Sequence, residues 1–358
     1  MTQPNLYVDV HVLQTVPSSN INRDDTGAPK TAQYGGVTRA RVSSQAWKHA
    51  MREDFADLPQ EMQGSRTKDA AALLTAAIQA RTGEMSQEDA QALADSVFTA
   101  AGVKLDKNRQ TGALLLISRG QIAKLADYAL SHDTLDKKEL KAVLKGDQSL
   151  DLALFGRMVA DNPELNVEAS AQVAHALSTH EIVPEFDYFT AMDDEQPEDN
   201  AGAAMLGTVE FNSATLYRYA NLNFRELAEN LGTTDATEGA LDFLKAFLLS
   251  MPTGKQNTFA NKTLPSYVMV TLREDTPVNL VSAFETPITT RTGYVAKSVD
   301  ALEKAYTAAE AFVAAPLATL VLATTDTTVG DRVANVDALL ARVADVLKRE
   351  TPDEDANA

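Results

Sequence analysis

Cysteine is absent from the 358 residues, so disulfides, thiolate metal sites and cysteine nucleophiles are excluded. Long apolar runs are missing too. The longest, residues 314–323, is broken by Pro316 and is shorter than the ~20 residues a membrane helix needs. The N-terminus lacks the apolar core of a signal peptide, because an alternating segment containing Asp9 stands there instead. A soluble, cytoplasmic protein with no membrane partner is expected. Histidine is sparse. His11, His49, His132, His175 and His180 show no H-E-x-x-H spacing, and His175 and His180 read as satisfied strand residues. No serine sits in a G-x-S-x-G elbow and no G-x-x-x-x-G-K-[ST] loop offers a nucleotide site. Hydrolase chemistry is excluded, and no metal or cofactor is expected.

Positive charge is also in deficit overall, with a net −18 and a pI near 4.7, and one segment stands against that trend. Residues 1–52 hold six cations, Arg23, Lys30, Arg39, Arg41, Lys48 and Arg52, and three acids, Asp9, Asp24 and Asp25. A basic island at one end of an acidic chain points to an anionic partner. Leu6, Val8, Val10 and Val12 alternate with Tyr7, Asp9 and His11, the period of a strand with one buried face. The turn residues Asn20, Asn22, Asp24, Asp25, Gly27 and Pro29 follow, and they place Arg23 and Lys30 on an exposed connection. Gly35 and Gly36 open a second extended run over 37–42, with Thr38 and Ala40 on one face and Arg39 and Arg41 on the other. Ser43 or Ser44 then caps a helix in which Gln45, Lys48 and Arg52 share a face. A helix N-terminus with two cations one turn apart suits a polyphosphate. The same spacing also fits an ordinary solvated face.

At this length two or three units are expected. Helical spacing covers 69–81, 87–101, 119–130 and 135–145. Ser86 and Asp89 give the second of these a capping box and Gly102 a terminator. Residues 173–179 alternate like a strand, with an alanine-rich helix as the competing reading. Two β-prone arms, 182–192 and 207–216, flank the acidic loop 193–200 and form a long hairpin whose loop should be poorly ordered without a partner. Strands follow at 217–222 and 267–272, with helices at 224–231, 240–250, 299–314 and 336–349 and a frayed tail after Pro352. A first strand that must pair with strands two hundred residues later implies a split α+β domain interrupted by insertions.

The motifs Asn22-Arg23-Asp24-Asp25, Gly35-Gly36, Arg41-Val42-Ser43-Ser44-Gln45, Ala50-Met51-Arg52, Gly156-Arg157-Met158, Ala174-His175-Ala176, Phe189-Thr190-Ala191, Leu206-Gly207-Thr208 and Tyr217-Arg218-Tyr219-Ala220-Asn221 occur in the order of one family. The chain resembles, as far as about Glu285, the backbone subunit of the type I-E CRISPR Cascade complex, a crRNA-binding family. That resemblance implies an α+β fold with a modified RRM, ferredoxin-like palm at 1–60 and 217–358, helical fingers at 61–181 and a thumb hairpin at 182–216. It implies head-to-tail copies along one crRNA, together with other Cascade subunits and target DNA as partners. Arg23, Lys30, Ser43, Gln45, Lys48 and Arg52 would hold the guide backbone, with Lys255 and Gln256 as a second backbone loop. Met158, Phe189 and Thr190 would displace a guide base at intervals, and Lys137, Lys138, Lys141 and Lys145 would contact target DNA. One departure concerns Val37, with Thr38 beside it, where some relatives are basic, so that a phosphate contact is either missing or supplied by Arg39. In related type III subunits an acid after the first strand cleaves RNA with a metal ion. Asp24 and Asp25 occupy a comparable loop, although their Asn-Arg-Asp-Asp setting resembles the non-cleaving type, in which they brace Arg23 or touch a neighbouring subunit.

Overall fold

The computed structural model describes residues 5–159, 162–191 and 205–351. The sequence-predicted loop 193–200 and the tail after Pro352 lie outside them. In chain order the strands and helices begin with β1 (Tyr7–Ser19), β2 (Thr31–Tyr34), β3 (Val37–Val42), α1 (Ser44–Asp54), β4 (Gly64–Thr67), α2 (Ala70–Thr82) and α3 (Gln87–Ala101). They continue with β5 (Leu115–Ser118), α4 (Arg119–Ser131), α5 (Lys137–Lys145), α6 (Leu150–Phe155), β6 (Ala171–Val173), β7 (Ala176–Ser178), β8 (Glu185–Ala191) and β9 (Met205–Asn223). The chain closes with α7 (Phe224–Leu231), α8 (Thr233–Leu249), α9 (Gln256–Phe259), β10 (Tyr267–Arg273), α10 (Val295–Ala309), β11 (Ala318–Ala323), β12 (Asp331–Arg332) and α11 (Val336–Glu350). Contacts divide the chain into two units. One comprises Met1–Met51, Val173–Asn221 and Leu244–Val346, the other Arg52–Gln172, Leu222–Phe243 and Leu347–Ala358.

The first unit is built on a mixed sheet in the order β12-β11-β10-β1-β9-β7-β3-β2, with β6 and β8 also paired to β9. The α+β expectation holds. β1 lies between β10 and β9, and its Val10 faces Val270 across the ladder, which is the split predicted from the first strand's need for distant partners. One part of the β1 reading fails. Alternation put Asp9 and His11 on a solvent face, yet they are 0 % and 1 % exposed. The Tyr219 hydroxyl and Val278 N–H donate to the Asp9 carboxylate, and His11 Nδ1 meets the Tyr217 hydroxyl at 2.9 Å. Both faces of the strand are therefore covered, the second by a polar network. The same face carries Leu13, which packs in a cluster with Tyr267, Met269, Leu302 and Val321.

Gly35 and Gly36, with φ of 62° and 80°, make the two-residue turn of the β2–β3 hairpin. A side chain at Gly35 would come within 1.7 Å of the Glu285 carbonyl, so only glycine fits. Arg39 is wholly buried, against the expectation of an outward face. Its nitrogens donate to the carbonyls of Tyr34, Ser178 and Phe284, and so it ties the hairpin down. β7 pairs with both β3 and β9, and with β6 it makes two short strands of the 173–179 stretch in place of the competing helix. That pairing also assigns residues from Val173 onward to the sheet, earlier than the boundary at 181.

The second unit packs α2, α3, α4 and α5 around Leu74, Ile78, Val97, Phe98, Leu125, Leu140 and Leu144. Of the capping box expected for α3, the Ser86 half forms. Ser86 Oγ accepts from Asp89 N–H at 3.1 Å, and Gly102 closes the helix at φ 84°. α4 carries a full capping box between Ser118 and Gln121. Residues 222–243, read as part of the split domain, belong to this unit. Sequence periodicity missed β4 and β5, which form a small sheet of their own, and β11, whose ladder partner is β10.

Candidate nucleic-acid interface

The loop between β1 and β2 holds its shape through short polar side chains. Asp24 Oδ1 accepts from the Thr26 N–H and hydroxyl and from Ala28 N–H. Those bonds, Thr26's first, hold its pKa below the usual carboxylate value. Asn22 Oδ1 accepts from Ser43 N–H at 2.8 Å, and Lys30 N–H donates to the Asn22 carbonyl. Asn20 Nδ2 donates to both the Gly27 and Glu210 carbonyls at 2.9 Å. The loop is thus fastened to α1 on one side and to β9 on the other. Arg23 is exposed and, with the rest of the 21–27 loop and Gly254, lines an open cleft of about 530 Å³; Lys30 is part-exposed at the end of the same loop.

Gly254 brings the second predicted loop to the same place. A Cβ there would lie 2.4 Å from the Ile21 carbonyl oxygen, so the two backbones are in contact. Lys255, in the left-handed region at φ 53°, and Gln256 follow it, both part-exposed. Phe259 of α9 meets Phe211 of β9 with ring centroids 5.7 Å apart. Arg23, Lys30, Lys255 and Gln256 therefore sit on neighbouring loops of one unit.

The capping serine of α1 is Ser43, whose Oγ accepts from Ala46 N–H at 3.4 Å. It is 4 % exposed, so its side chain serves the helix and is not open to a phosphate. Gln45 is exposed and Lys48 half-buried, the burial lowering the pKa of its ammonium. Arg52 departs from the expectation. Its Nε donates to Asp151 at 2.7 Å, with the carboxylate nearly buried, so the guanidinium is an ion-pair partner within the second unit. Arg41 is also engaged, donating to the Thr31 carbonyl and lying 3.3 Å from His175 Nδ1. Burial, and then the charges of Arg41 and Lys30, lower the His175 pKa.

In the hairpin of β8 and β9, Phe189 faces Gly207 and Thr190 faces Leu206. The Phe189 ring covers Gly207, where a Cβ would meet it at 2.4 Å. Successive strand residues point to opposite faces, so Thr190 shares its side with Tyr188 and Phe186, which are 64 % and 67 % exposed. Those two aromatics were not singled out from sequence, although alternation over 186–190 marks them. In the second unit Met158 is 83 % exposed, which excludes core packing for it. Lys137, Lys138, Lys141 and Lys145 lie on α5, whose Leu140 and Leu144 are buried. Lys137, Lys138 and Lys145 are exposed, whereas Lys141 is ion-paired with Glu164. Among the described residues no cluster of acids and histidines could hold a metal ion, and no helix is long and apolar enough to cross a membrane.

A family model described as CT1975-like protein matches residues 8–346. No curated protein matches the chain. One solved chain, from a "CRISPR RNA-guided surveillance complex, pre-nicking", is 32 % identical with a TM-score of 0.85, over 95 % of this chain and all of that one. Another, from a "CRISPR RNA-guided surveillance complex", is 29 % identical with a TM-score of 0.63, over 94 % and 99 % of the two chains.

Proposed function

The chain belongs to the CT1975-like protein family, and from that membership we propose that it is the non-catalytic, crRNA-binding backbone subunit of a type I-E Cascade surveillance complex. The observation that carries this reading is the meeting of the Arg23–Lys30 loop with the Lys255–Gln256 loop around one open cleft. The resemblance to chains of CRISPR RNA-guided complexes supports it. In this reading the first unit is the palm with its β8–β9 thumb, and the second is the fingers. Cations on loops suit phosphates and leave base edges free, as a subunit that accepts any guide requires. Gln45 and Lys48 extend the grip along α1. Met158, exposed on the fingers, and the Phe189–Thr190 segment of the thumb each serve to displace guide bases, as an apolar side chain unstacks a base step. Lys137, Lys138 and Lys145 are left to meet target DNA, and Arg52 is engaged by Asp151 within the second unit. Copies associate head to tail, a heterologous contact that guide length terminates.

Asp24 has three donors on one oxygen, which makes it a turn brace and supports the non-cleaving reading. The test is co-expression with the neighbouring subunits and a CRISPR array, followed by sequencing of the RNA that copurifies. Intact guides with mixed spacers are expected. Purification without RNA refutes the proposal. RNA cut at regular intervals, with cutting lost on Asp24→Ala, replaces it with the metal-dependent type III alternative through Asp24 and Asp25.

A further inference from the structure

Arg218 of β9 is 1 % exposed and charged at neutral pH, since burial lowers its pKa only to about 9. Among the described residues no carboxylate pairs with it. One terminal nitrogen donates to Gln14 of β1 and the other to the Phe247 carbonyl of α8, while Nε has no acceptor. The guanidinium lies 3.8 Å from the centroid of the Trp47 ring and 4.5 Å from that of Phe247. Trp47 Nε1 is also buried without an acceptor. Arg39 is buried without an acid as well, but oxygen acceptors take all three of its nitrogens. The same holds for Arg157 in the other unit. Those two fasten polypeptide. Arg218 leans instead on aromatic faces, with a donor to spare.

A buried cation without a counter-charge is costly, and buried charges are ordinarily paired. Trp47 immediately precedes Lys48 in α1, so the stacked indole places this charge behind the helix whose outer face carries Gln45 and Lys48. Protein of low dielectric lies between them and screens the field less than water would. We propose that Arg218 is a positioning residue for RNA binding. Its guanidinium fixes α1 through Trp47, and the RNA backbone supplies the counter-charge it lacks within the chain. This rests on the reading of α1 as a phosphate-binding helix.

The test uses the full chain and an oligouridylate probe, with Lys48→Ala as the reference. Arg218→Met keeps the length and stacking area but removes the charge, and Arg218→Lys restores it. Arg218→Met should retain the wild-type circular dichroism and lose about tenfold in affinity at low salt, a loss that shrinks as salt is raised. Arg218→Lys should recover most of it. Wild-type affinity in Arg218→Met, with Lys48→Ala weakened, overturns this inference and leaves the proposed function standing. No binding by the wild type, or wild-type binding by Lys48→Ala, removes the reading of α1 and this inference with it. Should Arg218→Met fail to fold, the unmodified protein gives the answer, because Trp47 is the single tryptophan of the chain. Its emission should shift as oligouridylate saturates the protein, and saturation with unchanged emission overturns the proposal.

Discussion

Replacing Gly254 with alanine tests whether the close approach of two loops builds the interface. The new Cβ would lie 2.4 Å from the Ile21 oxygen, 2.7 Å from the Ile21 carbonyl carbon and 2.9 Å from the Asn20 oxygen. All three are backbone atoms, so no side-chain rotation relieves the overlap. Ordinary contact begins near 3.4 Å, and the loops must separate by about 1 Å, an overpacking that costs about 1–3 kcal/mol. Gly254 itself is not in the left-handed region, so the penalty is one of spacing and not of φ. Lys255 would move away from Arg23 and Lys30 with the separated loop. Loss of one phosphate contact on a single strand should lower the slope of log affinity against log salt by about 0.7. Fluorescence anisotropy with a labelled oligouridylate across a salt series, beside thermal denaturation, measures both effects. Unchanged slope and unchanged melting in Gly254→Ala would show that the loops separate freely and that their contact does not define the site.

Arg52→Ala should destabilise the protein by about 1–3 kcal/mol, because among the described residues the Asp151 carboxylate, 5 % exposed, keeps only the Ser149 hydroxyl as a donor. Denaturant unfolding should show this loss reduced in Arg52→Ala/Asp151→Asn, whereas Lys48→Ala should weaken RNA binding for every guide alike without a comparable loss of stability. The buried β1 network gives a pH test. His11 falls from 6.5 to about 3, chiefly by burial, so its contribution is complete above 6.5 and is lost as pH drops toward 3. Asp9 rises from 3.8 to about 6, again by burial, so its contribution is complete below 3.8 and is lost as pH climbs through 6. Between pH 4 and 6 the two oppose each other. Asp9→Asn should expose the histidine's share, with stability falling by about 1.4 kcal/mol per unit as pH drops from 6 to 4. A flat urea-denaturation profile in that variant would refute the burial argument.

Legibility in the sequence followed the range of the interaction responsible. α3 could be read with both ends in place because Ser86 and Gly102 act within a turn of the helix. The 20–30 loop was legible through Asp24, Gly27 and Pro29, residues whose turn chemistry is local. β1 was visible as a strand, but the burial of Asp9 and His11 depends on Tyr219 and Tyr217, about two hundred residues away. Alternation carries no trace of a polar group that covers the other face. β11 was hidden for a related reason, since its apolar run contains Pro316 at the start and becomes a strand only by pairing with β10. Of the proposed interface, Arg23, Lys30, Gln45 and Lys48 were readable from charge and turn signals. The contact at Gly254 and the Trp47–Arg218 stack were not, because a missing Cβ and a tertiary cation–π pair have no periodicity.

Charge counting also overstated the surface that the basic island offers. Six cations in residues 1–52 look equivalent in sequence, yet their nitrogens have different partners. Arg39 is spent on carbonyls, Arg41 on Thr31 and His175, and Arg52 on Asp151. Arg23 is exposed and Lys30 and Lys48 are part-exposed, and the Gly254 contact adds Lys255 from the far part of the chain. A six-cation island plus Lys255 would give a single-strand salt slope of about 5, whereas Arg23, Lys30, Lys48 and Lys255 alone give about 3 per copy. A measured slope near 3 would support sorting the charges by what they touch. A slope near 5 would mean that Arg39, Arg41 and Arg52 leave their partners when RNA binds, and that the β2–β3 hairpin is remodelled as the complex forms.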